Sequence, residues 1–150
     1  LTCCNKLLIC SPSLRTHLIQ MLQSKTIIVV EDDPDSLFLI RKVLENAGYT
    51  VECFQDGSQL LNGDNYQTPS LFILDNNIGM VDGITVCKYL KGQEERRSIP
   101  IVMMSGSLEF ETRALQSGVD YFLSKPLNMR KLLKLVGSLV ASSIGESKVG

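Results

Sequence analysis

The sequence predicts an α/β domain: a five-stranded parallel sheet with helices on both faces. Short apolar runs of strand length alternate with amphipathic stretches of helical period. Several runs are almost purely Ile, Val, Leu and Met, the composition of strands covered on both sides. Four runs also end in residues fit for metal or phosphate chemistry. Ile27-Ile28-Val29-Val30 leads into Glu31-Asp32-Asp33, Leu71-Phe72-Ile73-Leu74 into Asp75, Ile101-Val102-Met103-Met104 into Ser105, and Tyr121-Phe122-Leu123 through Ser124 into Lys125-Pro126. Ligands of open α/β sheets bind outside the carboxyl ends of the strands, so the repeated pattern locates a site.

The first strand is read as residues 27–30. A helix over about 35–46 follows, with Leu37, Ile40, Val43 and Leu44 at core spacing, Arg41, Lys42, Glu45 and Asn46 toward water, and Gly48 as its stop. Next come a strand at 50–54, a short helix at about 57–62 and a strand at 70–74. A turn-rich segment, Asp75 to Gly83, precedes a helix at about 84–91. A strand at 99–104, a helix at about 109–116 closed by Gly118, a strand at 120–123 and a helix at about 128–142 complete the pattern. The last helix carries a wide apolar face of Leu132, Leu133, Leu135, Val136, Leu139 and Val140. Parallel strands need crossovers, and right-handed crossovers lay helices on both faces of the sheet.

The chain has 150 residues, enough for one ordinary domain. Fifteen basic and sixteen acidic residues give a net charge of −1, so nothing favours a nucleic-acid or membrane-surface partner. Control of transcription would pass through another protein. The cysteines at 3, 4, 10, 53 and 87 form no paired framework, and with His17 the only histidine a zinc site is not expected. Cys53 and Cys87 are expected to be buried thiols of a reduced, cytoplasmic protein. No apolar stretch approaches the roughly 18 residues needed to span a bilayer, and Leu7-Leu8-Ile9 is too short for a signal peptide. Residues 1–24 are read as an N-terminal extension. They form either a short amphipathic helix, with Leu14, Leu18, Met21 and Leu22 on one face behind Ser11-Pro12-Ser13, or a non-native leader with Met21 as the true start. Residues 25–150 are the domain proper.

Glu31, Asp32 and Asp75 gain meaning as a trio. An oxygen-only cluster suits a hard divalent cation, and without one the three acids would repel and raise one another's pKa. Glu-Asp-Asp after a strand is equally what the start of a helix looks like, since acids complement its dipole. Asp75 has no such explanation, because a turn follows it. Lys125 and Ser105 read singly as an ordinary loop lysine and a turn serine. Together with the acids, a cation and a hydroxyl could bind the oxygens of a phosphorylated carboxylate, with Mg²⁺ offsetting charge during in-line transfer.

Over roughly residues 25–141 the sequence resembles the receiver domain of two-component response regulators. The resemblance rests on Val29-Val30-Glu31-Asp32-Asp33-Pro34-Asp35, on Asp75 followed by Asp82-Gly83, on Ser105 thirty positions after Asp75, and on Gly118-Val119-Asp120-Tyr121-Phe122-Leu123-Ser124-Lys125-Pro126. It implies a doubly wound, flavodoxin-like sheet in the order 2-1-3-4-5, with strands one and three side by side at the topological switch point. It implies Asp75 as phosphoacceptor from a phosphohistidine on a sensor histidine kinase or a histidine phosphotransfer protein. It implies Asp32, Asp75 and the main-chain carbonyl of Asn77 as Mg²⁺ ligands, with Glu31 acting through a metal-bound water. By the same resemblance Lys125, on a cis Lys-Pro bond, pairs with a phosphoryl oxygen, Ser105 hydrogen-bonds the phosphoryl group, and Phe122 is the aromatic switch residue.

Three departures stand out. Gly79 replaces a usual proline, Gly106 replaces a usual alanine, and the span from Ser105 to Lys125 is slightly short for the family. Phe122 also lacks the hydroxyl of the more frequent tyrosine. The reading is a stand-alone, chemotaxis-regulator-like switch that signals through protein contacts or passes phosphate onward, and is not itself an enzyme. Its rivals are a metal-dependent phosphohydrolase working through an aspartyl phosphate, against which Asn77 supplies no second acid, and a receiver that only docks without phosphorylation.

Overall fold

The apolar runs form strands because their side chains are consumed on both faces of one sheet. In the computed structural model, which describes residues 25–62 and 66–145, β1 (Thr26–Val30), β3 (Leu71–Asp75) and β4 (Ile101–Ser105) are buried along their whole lengths. The edge strands β2 (Thr50–Phe54) and β5 (Tyr121–Ser124) are only partly covered. All five are parallel, as the alternation of elements predicts, and their order β2-β1-β3-β4-β5 is the one the family resemblance implies. Residues 1–24, and with them the proposed Leu14/Leu18/Met21/Leu22 face, lie outside the described residues.

The helices are α1 (Pro34–Asn46), α2 (Ser58–Leu61), α3 (Gly83–Gly92), α4 (Glu109–Gln116) and α5 (Met129–Gly145). Strand alternation sends Ile27, Val29, Ile73 and Met104 to one face, where Leu37, Ile40 and Leu44 of α1 and Leu132 and Val136 of α5 meet them. Ile28, Val30, Phe72 and Met103 go to the other face, against Leu60 of α2, Cys87 and Leu90 of α3 and Ala114 of α4. Each fully buried Leu or Ile contributes about 1.5–3 kcal/mol relative to exposure. These two cores cover both faces of the sheet.

Local chemistry sets the boundaries. Asp33, in extended conformation, accepts from Ser36 N–H at 2.7 Å and Pro34 occupies the first turn, so α1 starts where its donors find partners. Asp82 does the same for α3 through Thr85 N–H at 2.7 Å. β4 begins at Ile101 rather than at 99, because Pro100 has no N–H to give to a ladder; its carbonyl still accepts from Phe72 N–H at 3.1 Å. β3 runs one residue further than the apolar pattern, carrying Asp75 inside the strand. Cys87 is buried as expected, whereas Cys53 is half-buried because β2 is an edge strand. The Asp75–Gly83 segment is not a plain turn. It is an antiparallel ribbon pairing Asn77 with Asp82 and Ile78 with Val81.

Candidate functional site

The ladders deliver the site residues one by one to the carboxyl edge. Asn76 N–H donates to Met104 O at 2.9 Å and Glu31 N–H to Phe54 O at 3.1 Å, which continues the sheet just past β3 and β1. Lys125 N–H donates to Ser105 O at 2.8 Å, which ties the end of β5 to the end of β4. Continuing the alternation two residues past Val29 and Leu123 puts Glu31 and Lys125 on the side that Ile73 and Asp75 occupy. The result is an ion-paired centre. Lys125 Nζ lies 2.7 Å from Glu31 Oε2 and 3.0 Å from Asp75 Oδ1.

One carboxylate oxygen from each of Glu31, Asp32 and Asp75 falls within 4.8 Å of the others. Glu31 and Asp75 are buried while Asp32 is exposed, so the cluster is open on one side. Burial pushes the Glu31 carboxyl above its ordinary pKa; the hydrogen bond from Lys125 opposes that shift and the charge of Asp75 adds to it. Burial works to lower the Lys125 pKa, but its bonds to Glu31 and Asp75 outweigh it and hold the ammonium above the ordinary lysine range. Lys125 offsets only one of the three acid charges. An oxygen-only donor set with an excess of negative charge, two of its members out of water, fits a hard divalent cation of the Mg²⁺ kind.

The Glu-Asp-Asp run divides between its two readings. Asp33 is the helix cap, with its carboxyl held below the usual value by the Ser36 N–H, while Glu31 and Asp32 join Asp75. Asn77 is brought in by its backbone, its N–H donating to Asp75 Oδ2 at 3.3 Å. Gly83 N–H bonds Asn76 O at 2.9 Å, so the Asn77–Asp82 pair is the non-hydrogen-bonded one, and the Asn77 carbonyl is turned away from the partner strand. Gly83 is required there, since a Cβ would stand 2.5 Å from Asp75 O. Ser105 is buried at the end of β4, one position beyond Met104, the residue paired with Asp75; its Oγ accepts from Ser107 N–H at 3.2 Å. Phe122 is not with the acids. It pairs with Met103 and packs, half-buried, on the opposite core.

Other contributors carry no assigned role in the sequence reading. Asp82 enters the sequence pattern only through the Asp82-Gly83 pair, yet it caps α3 and thereby anchors the ribbon. Lys91 reaches Asp120 Oδ2 at 2.7 Å, and the same oxygen accepts from Ile101 N–H at 2.8 Å, clamping the starts of β4 and β5. Asp56 and Gly57, in the loop after β2, touch the ribbon. A capping pattern could have revealed Asp82; the other contacts span long sequence separations and leave no local signal.

Comparison with known proteins identifies related sequences and folds. The profile of the response regulator receiver domain matches residues 27–137. RpaA of Synechocystis sp., described as a DNA-binding dual master transcriptional regulator, is 33% identical over 116 residues, covering 76% of this chain and 48% of that protein. The polar-differentiation response regulator DivK of Brucella ovis is 28% identical over 125 residues, covering 80% of this chain and 99% of DivK. The chain thus spans about half the length of the former and nearly all of the latter. Among solved structures, the receiver domain of a sensor histidine kinase from Pseudomonas aeruginosa superposes with a TM-score of 0.72 at 25% identity, covering 79% of this chain and 98% of that one. That structure carries a magnesium ion coordinated in its active-site cleft.

Proposed function

Because the chain belongs to the response regulator receiver family, the phosphorylation-activated switches of two-component systems, we propose that Asp75 is the acceptor of the phosphoryl group. Receiver domains are signalling switches rather than classical enzymes. The observation that carries the assignment is the Lys125 ammonium 3.0 Å from Asp75 Oδ1, inside an acid cluster at the carboxyl edge of the sheet. An Asp75 oxygen attacks the phosphorus of a phosphohistidine; the O–P bond forms, the P–N bond breaks, and the imidazole nitrogen leaves with the electron pair. Lys125 holds the acceptor before transfer and can follow the charge onto a phosphoryl oxygen afterwards. Ser105 supplies a hydroxyl at the neighbouring strand end.

Asp32, Asp75 and the Asn77 carbonyl are the proposed direct Mg²⁺ ligands, with Glu31 acting one shell out. Mg²⁺, when bound, neutralises charge that builds on the transferring group. In support of a direct role for Asp32, it is the exposed acid of the three. The domain is proposed to occupy residues 25–150, with 1–24 an extension, and the phosphodonor to be a sensor histidine kinase or a histidine phosphotransfer protein. The output is contact with another protein or onward phosphotransfer, and the site of action is the cytoplasm. None of the described helices is long and apolar enough to cross a membrane.

The test is phosphotransfer from a phosphohistidine protein, or from a small phosphodonor with Mg²⁺, followed by peptide mass mapping. Phosphate on Asp75 alone is the expected result. Phosphate on Asp32 or Asp82 would overturn the assignment.

A further inference from the structure

The backbone carbonyl proposed as a metal ligand sits in a ribbon that is gripped from outside the acid cluster. Gly57 N–H donates to Ile78 O at 3.0 Å, and Gly83 N–H to Asn76 O at 2.9 Å, so the carbonyls on either side of Asn77 are both anchored. The grip is close. A Cβ at Gly57 would stand 2.6 Å from Ile78 Cδ1 and 2.9 Å from Val81 Cγ2, and Gly57 is buried. At the ribbon tip, Gly79 has φ +78° and lies face-on to Asp56, whose carboxylate would be 3.0 Å from a Cβ there. Asp56 is itself fixed by accepting from Ser58 N–H at 2.8 Å.

The tip conformation is particular to the residues present. Gly79 and Met80 form a two-residue hairpin loop in which the first residue is left-handed and the second is not, the sense of a type II′ turn. Proline, locked near φ −65°, cannot take the Gly79 conformation. The glycine is therefore part of a different turn rather than a looser version of one built on proline. That turn brings the ribbon flush against the Asp56–Gly57 loop.

We propose that Asp56, Gly57 and Gly79 are positioning residues: together they clamp the ribbon, fix the Asn77 carbonyl, and so set the affinity of the site for Mg²⁺ without touching the ion. The proposal rests on the assignment of Asn77 as a ligand. Outer partners that hold a ligand commonly change metal affinity by roughly 10–100-fold when altered. Coupling of this kind is reciprocal, so bound Mg²⁺ must in turn stabilise the Gly57–Ile78 hydrogen bond.

The experiment is a Mg²⁺ titration of the full chain, followed by amide and carbonyl chemical shifts, on the wild type and on Asp32→Ala, Gly57→Ala, Gly79→Ala and Gly92→Ala, with metal-free thermal unfolding recorded for each. Gly92 has open space around it and serves as a neutral control. The clamp predicts a dissociation constant raised by about tenfold or more in Gly57→Ala and Gly79→Ala, a weakened Mg²⁺ response of the Asn77 carbonyl, and no change in Gly92→Ala. In the wild type, Gly57 amide exchange should slow as Mg²⁺ is added, a reading that holds even if Gly57→Ala does not fold. Folded Gly79→Ala with wild-type affinity, or Gly57 exchange indifferent to Mg²⁺, would overturn the clamp. Unchanged affinity in Asp32→Ala would instead overturn the underlying metal assignment, so the two failures are distinct.

Discussion

Lys125 is where the charge balance of the site is decided. Its ammonium bridges buried Glu31 and buried Asp75, so the repulsion that three clustered acids would suffer is already partly relieved. Removing it in Lys125→Ala strands both carboxylates. Urea unfolding of metal-free protein should show a loss of about 1–3 kcal/mol, the usual cost of leaving a buried polar group without its partner, and added Mg²⁺ should recover part of it. Equal stability of variant and wild type would make Lys125 a bystander. Asp75→Asn should lose all phosphoryl acceptance yet keep the fold, because Lys125 retains Glu31; collapse of the fold would mean that a structural carboxylate had been taken for a functional one. The sequence exposed these residues because each ends a strand, and strand ends are legible from apolar runs. It could not show that Lys125 pairs with Glu31, a contact across 94 positions.

At the scale of elements, helix starts decide which acids are free for chemistry. Asp33 is spent on α1, and its lowered pKa fixes the sign of a pH effect. A carboxyl whose folded pKa lies below the ordinary 3.8 stabilises the fold above that value and loses its contribution as pH falls through the folded pKa. Asp33→Asn, which still caps but does not titrate, should therefore flatten the acid limb of the stability curve below about pH 4. An unchanged limb would contradict the cap's role. Asp82→Ala should cost about 1 kcal/mol by uncapping α3, read from the denaturant midpoint. By contrast α4 enters from Leu108 without a side-chain cap and is only eight residues long. Its amides should exchange faster than those of α3 by hydrogen-exchange mass spectrometry, and comparable protection would contradict a weakening of the helix by the missing cap. Periodicity revealed α1 and α4 closely, down to the glycines at 48 and 118 with φ of +92° and +95°. The ribbon after Asp75 escaped it, because two-residue strands have no period to detect.

The molecule as a whole links one end of the sheet to one of its faces. Ser105 O holds Lys125 N–H, Ser105 leads into the loop before α4, and Phe122 and Phe110 pack on the core shared with α3. Leu108, Leu115 and Tyr121 are exposed in the same stretch of chain. On the proposed assignment, a phosphoryl group on Asp75 would shift populations only through contacts to Ser105 and Lys125 that differ between the two states, so the largest changes in exchange or chemical shift should fall in residues 105–127. Dominant changes in α1 would place the output elsewhere. The parallel sheet followed from the alternation of elements and its order from the family resemblance, whereas the use of Asp33 as a helix cap, apart from Glu31 and Asp32, needed the folded chain. The most direct measurement is the intact mass of wild type and Asp75→Asn after treatment with a small phosphodonor, with Mg²⁺ and with Mg²⁺ chelated. The account predicts one added phosphoryl group in the wild type with Mg²⁺ and none in the other samples. Phosphorylation of Asp75→Asn, or of the wild type without Mg²⁺ to the same extent, would contradict it.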